Sequence, residues 1–188
     1  MFLFDGKLIS NEQNDIMNTI EIRLTKTNEI NELQKISKDT FVETFSNQNS
    51  EENMQKYLEE NLSIQQLTNE LLNSESSFYF ARINEKIIGY LKVNFGKAQT
   101  DFKEDDSIEI ERVYVNEEFQ GKNVGQNLLN KAIEICIEKN AQSLWLGVWE
   151  KNYKAIRFFH KNGFVEFGKH PFILGDDIQT DILMRRQL

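Results

Sequence analysis

At 188 residues the chain is long enough to bury one substantial core and short for two domains. Charged residues make up 28% and hydrophobic residues 39%, with a single proline, which excludes a disordered or fibrous chain. The formal net charge of −8 argues against a nucleic-acid backbone or an anionic membrane surface as partner and favours cationic substrates.

Residues 1–18 begin apolar at Met1-Phe2-Leu3-Phe4, but Asp5 and Lys7 interrupt the run before it can form the core of a secretory signal. They read as an N-terminal extension without structure, and residues 19–188 as one domain. No run approaches the roughly 20 apolar residues of a membrane span, so the expected location is cytoplasmic. Ile20–Leu24 reads as a first strand, and Glu29–Phe45 as a helix with Ile30, Leu33, Ile36 and Phe41 on one face. Ser50-Glu51-Glu52 opens a second helical pattern, a serine cap followed by first-turn acids, which continues through Leu72. Phe78–Ile83 and Ile87–Val93 read as a hairpin across Asn84-Glu85-Lys86. Gln99–Ser107 is an acidic loop, densest at 101–106, where repelling charges suggest mobility.

The most informative stretch comes next. Ile108-Glu109-Ile110-Glu111-Arg112-Val113-Tyr114-Val115 alternates apolar and polar residues as a half-buried strand does. Val124, Leu128, Leu129, Ala132, Ile133 and Cys136 then line one face of an amphipathic helix. Gln120-Gly121-Lys122-Asn123-Val124-Gly125 is therefore a strand-to-helix turn, which aims the unpaired N–H groups of the helix's first turn at whatever lies in front. A pyrophosphate fits such a place. Gly121 and Gly125 permit close backbone approach, and Asn123 tolerates a left-handed conformation. Ser143–Val148 reads as a buried strand, and Asn152–Phe164 as a helix capped by Asn152 and stopped by Asn162-Gly163. Phe164–Phe167 and Ile182–Arg185 read as two closing strands around a loop containing Gly175-Asp176-Asp177. Cys136 reads as a core residue, and His160 and His170 have no partners at ligand spacing, so no metal site is indicated.

The turn carrying Gln120, Asn123 and Gly125, followed by the helix carrying Asn152, Ala155, Phe158, Gly163 and Phe164, resembles the GNAT superfamily of acyl-CoA-dependent N-acetyltransferases. That resemblance implies a mixed α/β fold: a mostly antiparallel sheet of six to seven strands, splayed between strands 4 and 5 and flanked by about four helices. It implies acetyl-CoA as co-substrate, held by Val113, Tyr114, Val115, Gln120, Gly121, Lys122, Asn123, Val124, Gly125, Asn152, Ala155, Phe158 and Phe159. Trp145–Asn152, Asp39-Thr40-Phe41, Glu43-Thr44-Phe45 and Gly175–Asp181 are similar, more narrowly, to the PaiA-type bacterial polyamine N-acetyltransferases. That likeness implies a primary amine of spermidine or spermine as acceptor, with Phe41, Glu43, Phe45, Glu51 and Asp176 on the acceptor side. Homodimers are common in the family, and these residues do not show which surface would pair.

The chemistry asks for a base, because an alkylammonium with a pKa of roughly 10 must lose a proton before it attacks a thioester. Glu109 and Glu111 are the candidates, on one strand face, and the resemblance favours Glu109, at the position that carries the base in related enzymes. Phe159 stands where many members have the tyrosine that protonates the departing thiolate, and phenylalanine has no proton to give. Tyr153, about one helical turn away, or water is left for that role. Two other readings stay open: an acetyltransferase for a protein N-terminus or an aminoglycoside, and a non-catalytic CoA-binding sensor.

Overall fold

The computed structural model describes residues 19–101 and 104–188. The N-terminal extension of 1–18 and two residues of the acidic loop, 102–103, lie outside the described residues. Chain order runs β1 (Ile20–Leu24), α1 (Ile30–Phe45), α2 (Glu51–Glu60), α3 (Ile64–Leu72), β2 (Ser76–Ile83), β3 (Lys86–Asn94), β4 (Ser107–Val115), α4 (Val124–Glu138), β5 (Ser143–Trp149), α5 (Tyr153–Lys161), β6 (Val165–Leu174) and β7 (Asp177–Gln187). The strands form one seven-stranded sheet in the order β1-β2-β3-β4-β5-β7-β6, and β4–β5 is its parallel pair. This is the mixed α/β, mostly antiparallel architecture that the sequence implied.

Two details differ from the sequence reading. The helical pattern from Ser50 to Leu72 is two helices, giving five where about four were expected. The break at 61–63 has a local cause: the Ser63 side chain accepts the Gln66 N–H at 3.1 Å and starts a fresh helix. Leu62, 1% exposed, is drawn into the core while its carbonyl accepts from Gln34 Nε2. The closing strands are also longer than Phe164–Phe167 and Ile182–Arg185, meeting across a tight turn at Gly175-Asp176 with Gly175 left-handed at φ +67°. Polar residues at 176–181 hid the strand because much of this edge faces solvent.

A hydrophobic core sits on each face of the sheet. On one, Leu128, Leu129, Ala132 and Cys136 of α4 pack on Leu91, Ile108, Leu144 and Leu146, with Phe159 of α5 closing the end. On the other, Leu33, Phe41 and Phe45 of α1 and Leu67 of α3 cover Phe78, Phe80, Tyr90 and Trp149. Each fully buried side chain of this size contributes about 1.5–3 kcal/mol, so these layers hold the sheet between them. Burial pushes the Cys136 thiol up to about 12, which leaves it a core residue and not a nucleophile. Among the described residues no helix is long and apolar enough to cross a membrane.

The sheet comes apart where the site forms. β4 and β5 pair only from Ser107↔Ser143 to Glu109↔Trp145. Beyond that point β4 follows β3 as far as Val115, while β5 follows β7 as far as Trp149↔Asp181. A bulge opposite Lys92/Val93 adds local twist at Glu111 and turns β4 away from β5. The facing edges of Ile110–Val115 and Leu146–Trp149 are left without a strand partner in the ladder.

Candidate functional site

A cleft of about 360 Å³ opens where the two strands part. Its lining brings together Glu109, Glu111, Val113, Tyr114, Asn152, Ala155, Phe159, Phe41 and Phe45 from the sequence-predicted set. The two glutamates do share a face, since the Asn94 side chain donates to both, at 3.0 Å to Glu109 and 2.6 Å to Glu111. Their surroundings then set them apart.

Glu109, 3% exposed, accepts hydrogen bonds from Thr100 N, Thr100 Oγ1 and Asn94 Nδ2. Burial outweighs these donors and holds its carboxyl above the ordinary range. Glu111 is half-buried, its side chain 18% exposed, and Arg112 and Lys92 overcome the desolvation cost and bring its carboxyl below the ordinary range. It belongs to a closed quartet: Lys92 bridges Glu70 at 2.9 Å and Glu111 at 2.5 Å, and Arg112 bridges the same two at 2.8 and 2.9 Å. Two acids and two bases balance there, leaving Glu109 as the carboxyl without a cation of its own in that group.

Removing one member of this largely buried quartet leaves an uncompensated charge, so Glu111→Gln is expected to destabilise the fold by about 3 kcal/mol, read as a lower denaturant midpoint. The deficit should be largest above the unfolded carboxyl value near 4.5. Because the folded-state value is depressed, Glu111's contribution is present above that pH and is lost as pH falls through the folded value.

The turn lies at the end of β4. Gly121 is left-handed at φ +78°, with nothing within 4 Å of where a Cβ would sit. Asn123 is left-handed at φ 63°, so it ends the turn by conformation and not by a side-chain cap. Gln120 ties the turn down: its Nε2 donates to the Val115 carbonyl, and its Oε1 accepts from Lys154 Nζ. Val124 is buried beneath the turn. Lys122 places its ammonium 5.1 Å from the Phe119 ring centre. Gly125 lies in the first turn of α4, where a Cβ would stand 3.9 Å from both Phe158 and Val115. Asn152 caps α5, accepting the Ala155 N–H at 3.1 Å. Phe159 packs edge-on against Phe158 and Phe164, with ring centres 5.2 and 5.4 Å apart.

Other expected residues fall elsewhere. Tyr153 is 64% exposed at the start of α5 and is not among the residues lining the cleft. Glu43 accepts the Glu117 N–H on a separate surface groove, Glu51 is exposed in the first turn of α2, and Asp176 pairs with Asn53 at the β6–β7 turn. The cleft also recruits residues to which the sequence reading gave no site role. Asp181 of β7 and His170 of β6 face each other at 3.7 Å, and His170 Nδ1 also meets Asp101. Burial pushes the Asp181 carboxyl up against the pull of His170. Tyr57, Tyr90, Trp149 and Phe172 add aromatic walls, Phe41 stacking on Tyr57 at 4.2 Å. Asp181 and Trp149 stood within the Gly175–Asp181 and Trp145–Asn152 stretches that carried the narrower resemblance, but without an assigned role. Among the described residues no group of three His, Cys, Asp or Glu side chains could hold a metal ion.

Comparison with known proteins agrees with this geometry. Residues 30–164 match the model of the acetyltransferase (GNAT) family. An uncharacterised N-acetyltransferase encoded in the pepI 3′ region of Lactobacillus delbrueckii subsp. lactis is 37% identical over 172 residues, covering 92% of this chain and 99% of that protein. The spermidine N(1)-acetyltransferase of Thermoplasma acidophilum is 28% identical over 152 residues, 78% of this chain and 88% of that one. In fold, the PaiA N-acetyltransferase of Thermoplasma acidophilum, solved in complex with coenzyme A, superposes with a TM-score of 0.76 at 24% identity, over 90% of this chain and 99% of that one. The ribosomal-protein-S18-alanine N-acetyltransferase of Escherichia coli does so at 0.67 with 15% identity, over 90% and 94% of the two chains. The chain thus belongs to the GNAT acetyltransferase family, and it is an acyl-CoA-dependent N-acetyltransferase.

Proposed function

We propose that this enzyme acetylates a primary amine of a polyamine such as spermidine or spermine. The observation that carries the reading is the make-up of the cleft: aromatic walls from Phe41, Phe45, Tyr57, Trp149 and Phe172, with Glu109, Glu111 and Asp181 among the groups that line it. Aromatic faces attract both methylene chains and ammonium groups, and carboxylates complement the charges between them. The similarity to the spermidine acetyltransferase of Thermoplasma supports the same class.

The co-substrate supplies the acetyl group as a thioester. The residues present fit it: the left-handed, open turn at Gly121 and Asn123 leads into the helix start at Gly125, and the unpaired edge of β4 offers main-chain donors and acceptors as an added strand would find them. In this reading Glu109 removes the ammonium proton, burial having shifted its pKa upward, the direction that strengthens a carboxylate as a base. Main-chain N–H groups at Val113–Val115 stabilise the negative charge that develops on the thioester oxygen. With Phe159 in the wall and Tyr153 facing solvent, water protonates the leaving thiolate, whose pKa of roughly 8.5 makes it a tolerable leaving group.

The test is release of free CoA thiol from acetyl-CoA with spermidine, spermine, lysine, an aminoglycoside and a peptide amine offered separately. Selective turnover of the polyamines is the expected result. Preference for the peptide or the aminoglycoside would move the acceptor to another class. Tight acetyl-CoA binding with no turnover on any amine would overturn the catalytic reading of the site.

A further inference from the structure

The two oxygens of Glu109 are held differently. Oε2 accepts from two N–H groups, Asn94 Nδ2 at 3.0 Å and the Thr100 backbone at 2.9 Å. Oε1 accepts from the Thr100 hydroxyl at 2.5 Å. An N–H group can only donate, so a proton on Oε2 would face two hydrogens. A hydroxyl has one proton and two lone pairs and can rotate, so its bond to Oε1 can reverse.

Asn94 has no freedom to turn its amide around. It is 0% exposed, its Oδ1 accepts from Ser76 Oγ at 2.9 Å, and its amide nitrogen also donates to Glu111, which Lys92 and Arg112 hold as an anion. The Oε2 side of the base is therefore fixed as an acceptor. Only the Oε1 side, under the loop that carries Thr100, can change.

Resting on the reading of Glu109 as base, we infer that Thr100 is a positioning residue that directs the acceptor's proton to Glu109 Oε1. An N–H bond of the acceptor ammonium breaks, directly or through one water, and its electron pair stays on nitrogen. The proton bonds to Oε1, and the Thr100 hydroxyl turns from donating to Oε1 to accepting from the new O–H. The charged groups around Glu109 are Glu111 and Arg112 of its own strand, Lys92 of β3, Glu70 of α3, Asp101 next to Thr100, and His170 and Asp181 on the far side of the cleft.

Thr100 is exposed at the cleft rim, so substituting it does not threaten the core. Thr100→Val keeps the backbone N–H bond and removes only the hydroxyl. It is expected to lower kcat about tenfold at pH 7 and to move the acid limb of the kcat profile up by about one pH unit, because a donor to the charged carboxylate is lost. KM for acetyl-CoA should not change, and Thr100→Ser should restore both rate and profile. An unmoved acid limb in Thr100→Val, or a Thr100→Ser enzyme as poor as Thr100→Val, overturns the inference. Glu109→Gln measured alongside separates the layers: if it keeps the parent's rate and limb, the base reading itself has failed. If it loses the limb while Thr100→Val keeps it, Thr100 alone is refuted.

Discussion

Glu109→Gln is expected to reduce turnover at neutral pH by about 10²–10⁴-fold, the usual worth of a general base. With a pKa of roughly 10, only on the order of one alkylamine in a thousand is uncharged at pH 7, so an enzyme without its base waits for that rare species. The deficit should therefore shrink as pH rises toward 10. In the parent enzyme Glu109 must be ionised to act, so activity falls as pH drops through its value. Burial has raised that value above the ordinary 4.5, and the acid limb should lie correspondingly higher. The thiol-release rate across pH checks both statements. A Glu109→Gln enzyme with the parent's profile would remove Glu109 from the chemistry. Glu111 would not inherit the role, because its carboxyl is committed to Lys92 and Arg112.

The second large effect is expected at the turn. Gly125→Val should weaken acetyl-CoA binding on the order of a hundredfold, about 2.7 kcal/mol, with the protein still folded. Folding should survive for two reasons. Glycine is a poorer helix former than valine, so intrinsic propensity does not oppose the change. The first added atom would meet Phe158 and Val115 at an ordinary 3.9 Å. The extra methyls should instead obstruct the approach of a pyrophosphate to the first-turn N–H groups of α4. Loss of the thermal shift that acetyl-CoA gives the parent, with an unchanged far-UV spectrum, is the measurement. A Gly125→Val protein that binds acetyl-CoA as tightly as the parent would mean that the anion rests elsewhere.

Much of this was legible from local pattern. The alternation of 108–115, the amphipathic face from Val124 to Cys136 and the Asn152 cap are short-range signals, and each element forms where those signals put it. Asn123 is a residue type that tolerates a left-handed conformation, and its φ of 63° puts it in one. Local pattern misled where a core contact outweighed it. Nothing in 50–72 breaks the helical period strongly, yet burying Leu62 and starting a new cap at Ser63 ends one helix and begins another. The final hairpin was shortened in the reading because its edge strand is mostly solvent-facing and lacks a continuous apolar run.

By itself the sequence determined the strand, turn and helix of 108–136 and the pair of glutamates on one strand face, and the resemblance of its motifs implied the family and a mixed α/β sheet parted at β4 and β5. All of these rest on residues close together in the chain or on short motifs. Only the tertiary structure decided how the two glutamates differ, because Lys92, Asn94 and Thr100 reach them across 9 to 19 residues of sequence, and Glu70 reaches the Arg112 beside Glu111 across 42. It also decided which acids face the cleft. Asp181 is carried in by β7, while Glu43, Glu51 and Asp176 fall outside it. A charge's position in sequence fixes its spacing along one element, but its ionisation and its partners depend on what the fold packs beside it.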